Sequence, residues 1–199
     1  HYHLLLSVSD NQLAFLINWL AVAYEFGYLP NPRILVHYTC EGEATRNFVE
    51  NHLLAKCIHP PERNDQGKNA NETMWRQVIK DRLGTYLEMV LNLKTDENDL
   101  GALTFDVDAI WIRQMIDVFD HFANDYDMIA QGTMMDRNGT ESYMDGKVLT
   151  NFGGVFIKNS EAGKALAKQS KKYLNDPAID FDWPDQDYVS HAIFSKGQE

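Results

Sequence analysis

From its first residues the chain alternates an apolar, strand-like run with a helix-like one. His3 to Val8 is apolar at nearly every position and runs straight into Ser9-Asp10-Asn11, where Asp10 is a suitable N-cap for a helix from about residue 11 to 26. Tyr28-Leu-Pro-Asn-Pro32 breaks that helix, Arg33 to Tyr38 reads as a second strand rich in Ile, Leu and Val, and Glu41 to Lys56 as a second helix. A β-α-β-α opening demands a largely parallel sheet joined by right-handed crossovers. The segment Leu13 to Phe26 is apolar but interrupted by Asn18 and Glu25. It falls short of the roughly 20 residues a bilayer requires, so it is expected as a core helix.

The same alternation continues to the end. Residues 60 to 71 are polar and read as a surface loop, followed by a long helix from about Asn71 to Leu93 whose Trp75, Val78, Ile79, Leu83, Tyr86, Leu87, Val90 and Leu91 share a broad face. After the acidic loop Lys94 to Leu100 come a strand at 102–108, a short helix near 113–123, a strand Met128 to Gly132, a strand Val148 to Lys158, a helix from about 160 to 174, and a last helix starting near Pro184. The expectation is one α/β domain over 1–199, a mixed, mostly parallel sheet flanked by helices. A chain of 199 residues with 44% hydrophobic content can bury its own core. It opens on His1 rather than Met, as a mature or partial chain does, so that a signal peptide or membrane anchor would lie outside it.

The stretch Ala102 to Arg113 carries the chemistry. An apolar run ends in Asp106 and Asp108, and on an extended backbone period-two geometry sends both to one side with Val107 packed on the other. Two hard oxygen donors suit Mg²⁺ or Mn²⁺, which takes its remaining ligands from water and phosphate. Asp-x-Asp occurs four times, also at Asp125/Asp127, Asp180/Asp182 and Asp185/Asp187, but only the first copy follows a strand-like run, at the carboxyl end where open α/β sheets bind ligands. A net charge of −11 argues against nucleic acid or an anionic membrane as partner, and a nucleotide diphosphate substrate would need a screening cation.

Three further segments stand out. Asn151-Phe-Gly-Gly154 places two glycines at a strand start, where a ligand can approach the backbone or a β-bulge can form. Asp185-Gln-Asp187 follows Pro184 at a helix start, where acidic residues suit the helix dipole. Lys80 and Arg82 are cations on the helix whose chain leads to the aspartate strand, placed to reach a pyrophosphate. His121 and His191 read as structural. Cys40 and Cys57 are too few for a disulfide scaffold and wrongly spaced for zinc; two buried free thiols are expected in preference to a bridge. Asn71-Glu-Thr73 and Asn138-Gly-Thr140 are formal N-glycosylation sequons. A cellular form of the chain would belong in the Golgi or secretory lumen, a viral or bacterial one in the cytoplasm.

The order of these pieces resembles the nucleotide-diphospho-sugar transferases, glycosyltransferases of the GT-A, Rossmann-like fold, with glycosyltransferase family 77 the nearest. That family reads roughly D-x-D-x-x-W-x-R, matched by Asp106-Val-Asp-Ala-Ile-Trp-Ile-Arg113, and its later N-x-G and D-Q-D elements correspond to Asn151 to Phe156 and Asp185 to Asp187. The resemblance implies Mn²⁺ or Mg²⁺ on Asp108 directly, with Asp106 at the metal or the ribose, and Arg82 or Lys80 at the nucleotide phosphates. Asp185 and Gln186 would face the donor sugar near its anomeric carbon, with Asn151, Gly153 and Gly154 lining the donor and Ser7, Val8 and Ser9 beside the nucleobase. The implied activity is retaining transfer from a nucleotide-sugar, UDP by default, to a glycan or glycoprotein hydroxyl; an inverting enzyme would draw its base from Asp182, Asp185, Asp187 or Asp136. Two rival readings are a haloacid-dehalogenase-like phosphohydrolase, which also uses a strand-borne Asp-x-Asp, and a non-catalytic carbohydrate-binding relative.

Overall fold

A computed structural model describes residues 1–59, 74–94, 98–109, 116–133, 143–144, 147–181 and 184–195, of which 74–75, 131–133, 143–144, 147–150 and 184 are described by their backbone alone. Strand β1 (Tyr2–Ser9) pairs in parallel with β2 (Ile34–Glu41) on one side and β4 (Gly101–Phe105) on the other. The two-residue β3 (Cys57–Ile58) extends the β2 edge. On the far side β7 (Lys147–Lys158) lies antiparallel between β4 and β5 (Met128–Thr133), giving the order β3-β2-β1-β4-β7-β5, with β6 (Tyr143–Met144) pairing β7 outside that path. Among the described strands only β7 runs against the rest, so the sheet is mixed and mostly parallel.

Period-two alternation divides the core between the two faces. Tyr2, Leu4, Leu6 and Val8 of β1, with Leu103 and Phe105 of β4, pack under helix α1 (Leu13–Glu25) through Leu16 and Trp19 and under α4 (Ile116–Phe122) through Phe119. The opposite face sets Leu5, Ala102, Phe152, Val155 and Ile157 against α3 (Met74–Asn92), α5 (Glu161–Leu174) and α6 (Pro184–Ser195) through Leu83, Tyr86, Leu87, Val90, Ala167, Tyr188 and Val189. Tyr86 is fully buried there and its hydroxyl donates to the Ala102 carbonyl at 2.9 Å, the partner such a group requires. Ser160 caps α5, its Oγ accepting from Gly163 N at 3.0 Å. At the amino edge of the sheet, Arg33 donates twice to Asp120, at 2.8 and 2.6 Å, and Asp120 also receives the Tyr2 hydroxyl at 2.6 Å. No described helix is long and apolar enough to cross a membrane.

Three local expectations are revised. The second strand runs to Glu41, so α2 covers Glu43–Asn51, shorter than the expected helix. Asp10 does not cap the helix that follows it. Ser9 and Gln12 make the box at the start of the short 3-10 turn before α1, while Asp10 reaches across to the start of α2 and accepts from Thr45 N at 2.8 Å. Those backbone donors, Thr45 first, hold the Asp10 carboxyl below its ordinary value. Gly42 makes the junction possible: its φ is +104°, and a Cβ there would stand 2.3 Å from the Asp10 carboxylate.

The third revision concerns the cysteines. Cys40 and Cys57 are joined in a disulfide across a loop of sequence separation 17, not held as free thiols. The pairing of Tyr38 with Cys57 and Thr39 with Ile58 brings their Cα atoms to 5.6 Å, well inside bridging distance. The expectation failed because a two-residue strand leaves almost no periodic signal in the sequence. A loop of this length should contribute about 3 kcal/mol. Urea unfolding with and without reductant should show that loss, matched by a Cys40→Ser, Cys57→Ser double variant insensitive to reductant; coincident curves would mean that the bridge adds nothing to stability.

Candidate active site

The strand order reverses direction between β1 and β4: β2 and β3 build outward from one, β7 and β5 from the other. Open α/β sheets form their ligand crevice at such a switch point, beyond the carboxyl ends of the strands. The carboxyl ends here deliver Ser7 to Ser9 from β1 and Asp106 from just beyond β4.

Asp106 lies just beyond the end of β4, not within it. The chain leaves the sheet after Phe105, and Ala109 N donates to the Asp106 carbonyl at 2.9 Å, closing a turn that buries Val107 and exposes Asp108. The two aspartates therefore flank a turn instead of sharing a pleat, because β4 ends one residue before the motif begins. Asp106 remains tied to the sheet through its N–H, which donates to the Gly153 carbonyl at 3.3 Å.

The Asn151-Phe-Gly-Gly154 segment supplies the bulge that the sequence suggested. Ala130 of β5 pairs with Val155 while the next residue, Gln131, pairs with Asn151, so Phe152, Gly153 and Gly154 are extra on the β7 side. Asn151 Oδ1 accepts from Gly153 N at 2.8 Å, and the Phe152 carbonyl accepts from Arg82 Nη2 at 3.0 Å. A Cβ on Gly153 would lie 3.2 Å from Asp106 Oδ2 and 3.1 Å from Asn151 Oδ1, close enough that either side chain would have to give by a few tenths of an ångström. Arg82 Nη1 donates to Asp106 Oδ1, and with its side chain only 11% exposed the pair is partly shielded from water. Its Nε is buried without a hydrogen-bond partner.

The start of α6 adds Asp185, buried and within electrostatic reach of Arg82 and Asp106. Burial pushes its carboxyl above the ordinary value; Arg82 opposes the shift and Asp106 reinforces it. Its Oδ1 accepts from Gln186 N at 2.9 Å. Gln186 and Asp187 are half-buried on the same first turn.

Arg82, Asp106, Asn151, Gly153, Gly154 and Asp185 are thus brought together, and Asp108 stands exposed at their rim. Lys80 engages Asp180 at 3.4 Å, where Arg76 also donates at 2.8 Å. On β1, Val8 packs into the core, the Ser9 hydroxyl donates to Gln12 Oε1 at 3.2 Å, and Ser7 Oγ is buried without a partner. His121 is exposed and lies edge-on to Phe122, and His191 lies against Tyr173 and Phe181. Trp111, Arg113, Asp136, Asp182 and both sequons lie outside the described residues. Sequence reading passed over Glu41, at the carboxyl end of β2 beside Ser9, whose carboxyl is raised by burial and then by Asp81 of α3. A glutamate closing the second strand of a β-α-β unit was a usable signal.

Two carboxylates, Asp106 and Asp185, thus share one cation, Arg82, beside glycine backbone and a helix start. Residues 62–198 match the family model of the nucleotide-diphospho-sugar transferases, and the chain belongs to that family. It is accordingly a glycosyltransferase, which decides against the phosphohydrolase reading of the same aspartates. No curated protein sequence matches the chain. Among solved structures it is similar to the galactosyltransferase LgtC in complex with donor and acceptor sugar analogs, at 14% identity and a TM-score of 0.58 over 96% of this chain and 70% of that one. An active-site mutant of LgtC gives 15% identity and 0.60 over the same shares. The 4-diphosphocytidyl-2C-methyl-D-erythritol synthase of Anaerococcus prevotii gives 10% and 0.52, over 98% and 84%. At these identities the likeness is one of fold.

An acid whose folded-state pKa is raised favours folding below its unfolded-state value and loses that contribution as pH climbs through the folded one. Asp185→Asn, which cannot ionise, should therefore melt no earlier than the wild type at neutral pH, and any advantage should vanish in acid. Thermal melts between about pH 4 and about pH 8 check this. An earlier melt of the variant at neutral pH would show that the carboxylate's local hydrogen bonds outweigh its burial.

Proposed function

We propose that the chain transfers a sugar from a nucleotide diphosphate, UDP by default, to a hydroxyl of a glycan or glycoprotein acceptor, with Mn²⁺ or Mg²⁺ at Asp106 and Asp108. The observation that carries this reading is the meeting of Arg82, Asp106, Asp185 and the Phe152–Gly154 bulge at the sheet's switch point.

The donor set suits such a cation. Asp106 and Asp108 are hard oxygen ligands in reach of solvent, and Arg82 engages Oδ1 of Asp106. Among the described residues no three His, Cys, Asp or Glu side chains gather as a full cage. The remaining ligands then fall to water and diphosphate, the usual habit of Mg²⁺. Once bound, the cation would offset charge developing on the diphosphate as the sugar–phosphate bond breaks.

The protein's own groups divide the rest of the work. Arg82 holds Asp106 in place and adds positive charge beside the leaving group. Asp185 and Gln186 offer a carboxylate and an amide, acceptors and donors suited to sugar hydroxyls, and the carboxylate, which only accepts, is unsuited to phosphate. Ser7, Ser9 and the β1 backbone border the base. The acceptor hydroxyl attacks the anomeric carbon and its proton leaves with the departing diphosphate, so that retention requires no separate carboxylate base.

Calorimetric titration of UDP should show markedly tighter binding with Mn²⁺ than with EDTA. Asp108→Asn should abolish that difference while changing stability by less than about 0.5 kcal/mol, as expected for an exposed side chain. Equal affinity in Mn²⁺ and EDTA would overturn the metal site. Asp185→Ala should in turn lower turnover of UDP-sugars while leaving UDP affinity near the wild-type value. Parallel loss of both would remove Asp185 from the sugar, and a wild-type protein that binds UDP-sugar without turnover on any acceptor would favour the non-catalytic relative.

A further inference from the structure

Helix α1 is buried on one side, and its other side lacks what a helix facing water normally carries. Leu16, Trp19, Leu20 and Ala23 close over the sheet, while the outward arc holds Phe15, Ile17, Ala21 and Tyr24, with Phe15 52% and Tyr24 56% exposed. Along Leu13–Glu25 the one charged residue is Glu25, in the last position; α5, one residue longer, carries five. An exposed helix face is ordinarily polar or charged, and contiguous apolar surface on a folded chain marks a contact site.

Charge narrows the choice of partner. The chain carries −11 overall, and the arc has no lysine or arginine with which to hold an anionic lipid surface or an acidic protein. A basic partner would be drawn to the acidic remainder of the surface and not to a face without charge. Two copies of this chain also repel each other, and least where contact brings almost no charged side chains together.

The arc is moreover complementary to itself. At 3.6 residues per turn the exposed Asn18 stands near its middle. A twofold axis through Asn18 sets two α1 helices antiparallel, so that residues equally far before and after it face each other across the contact. Phe15 then meets Ala21 of the other copy, and Ala14 meets Val22, a large side chain against a small one in both pairs, as interdigitated helices require. Asn18 meets its own copy, and an amide donates and accepts at once. Glu25 falls beside Asn11 at the N-terminal end of the other helix, where a carboxylate suits the helix dipole. We propose that this face of α1 is the interface of a reversible homodimer, packed antiparallel about Asn18. The proposal is independent of the transferase reading, since no residue of the arc belongs to the candidate active site. A helix of 13 residues is about 20 Å long and about 10 Å across, so one face buries on the order of 400 Å² per copy. That is roughly half of a standard partner's share, and it sets a Kd on the order of 10⁻⁵ to 10⁻⁴ M.

Sedimentation velocity of the wild type, at concentrations spanning that constant, should show a single monomer–dimer equilibrium. Raising NaCl from about 0.05 M to about 0.5 M should tighten it severalfold, because salt screens the like net charges and no ion pair is lost. Ala21→Glu should weaken association about tenfold or more by burying an unpaired charge, whereas Val118→Glu, on the exposed side of α4, should leave it unchanged. Phe15→Glu and Ala21→Lys should each stay monomeric alone and associate one to one when mixed, with circular dichroism confirming that both are folded. A wild type that stays monomeric throughout, or that stays monomeric and sediments with phosphatidylcholine vesicles, would overturn the proposal. So would association that falls with added salt, survives Ala21→Glu, or is not restored in the mixture; the wild-type series needs no variant at all.

Discussion

Everything in the candidate active site depends on one guanidinium. Arg82 leaves α3, reaches Asp106 beyond β4 with one nitrogen and the Phe152 carbonyl of β7 with another, and lies within the field of Asp185 on α6. Four elements distant in sequence are thereby fixed to one point. A lysine could not do this, because a single ammonium has no rigid fork with which to span a carboxylate and a carbonyl. With Asp106 and Asp185 beside it, the site would repel a diphosphate without that cation.

The bulge in β7 is the second constraint. Its three extra residues have no partner in the β5 register; the Phe152 carbonyl accepts from Arg82, and the Gly153 carbonyl accepts from the Asp106 amide, continuing the pairing of Phe105 with Gly154. A side chain at 153 would crowd the Asp106 carboxylate by a few tenths of an ångström.

Much of this was legible in the sequence because its signals are periodic. The β1-α1-β2 opening, the long α3 and the order of the aspartate and glycine motifs all follow from apolar spacing and turn chemistry, and the family likeness rested on that order. What stayed hidden was short or non-local. The two residues of β3 show no period, so the disulfide was missed with them. Asp10 looked like a cap for its own helix, and only the folded chain shows it serving α2 through Gly42. The turn after Phe105 could not be told from a continuing strand, because Val107 is apolar in either case. The pairing of Arg82, rather than Lys80, with Asp106 needed the rotation of α3 over the sheet.

The Cys40–Cys57 bridge has a further consequence at the rim of the sheet. Strand β2 runs from Ile34 to Glu41, but β3 covers it only at Tyr38 and Thr39, so toward its amino end the outer backbone of β2 has no neighbouring strand among the described residues. Unpaired strand edges are templates for another chain. A two-residue strand pinned by a covalent bond blunts that edge where hydrogen bonds alone would fray. The oxidation state of this protein thus bears on its colloidal behaviour, and a preparation kept in thiol reductant would offer neighbouring molecules a longer open edge than one kept oxidised.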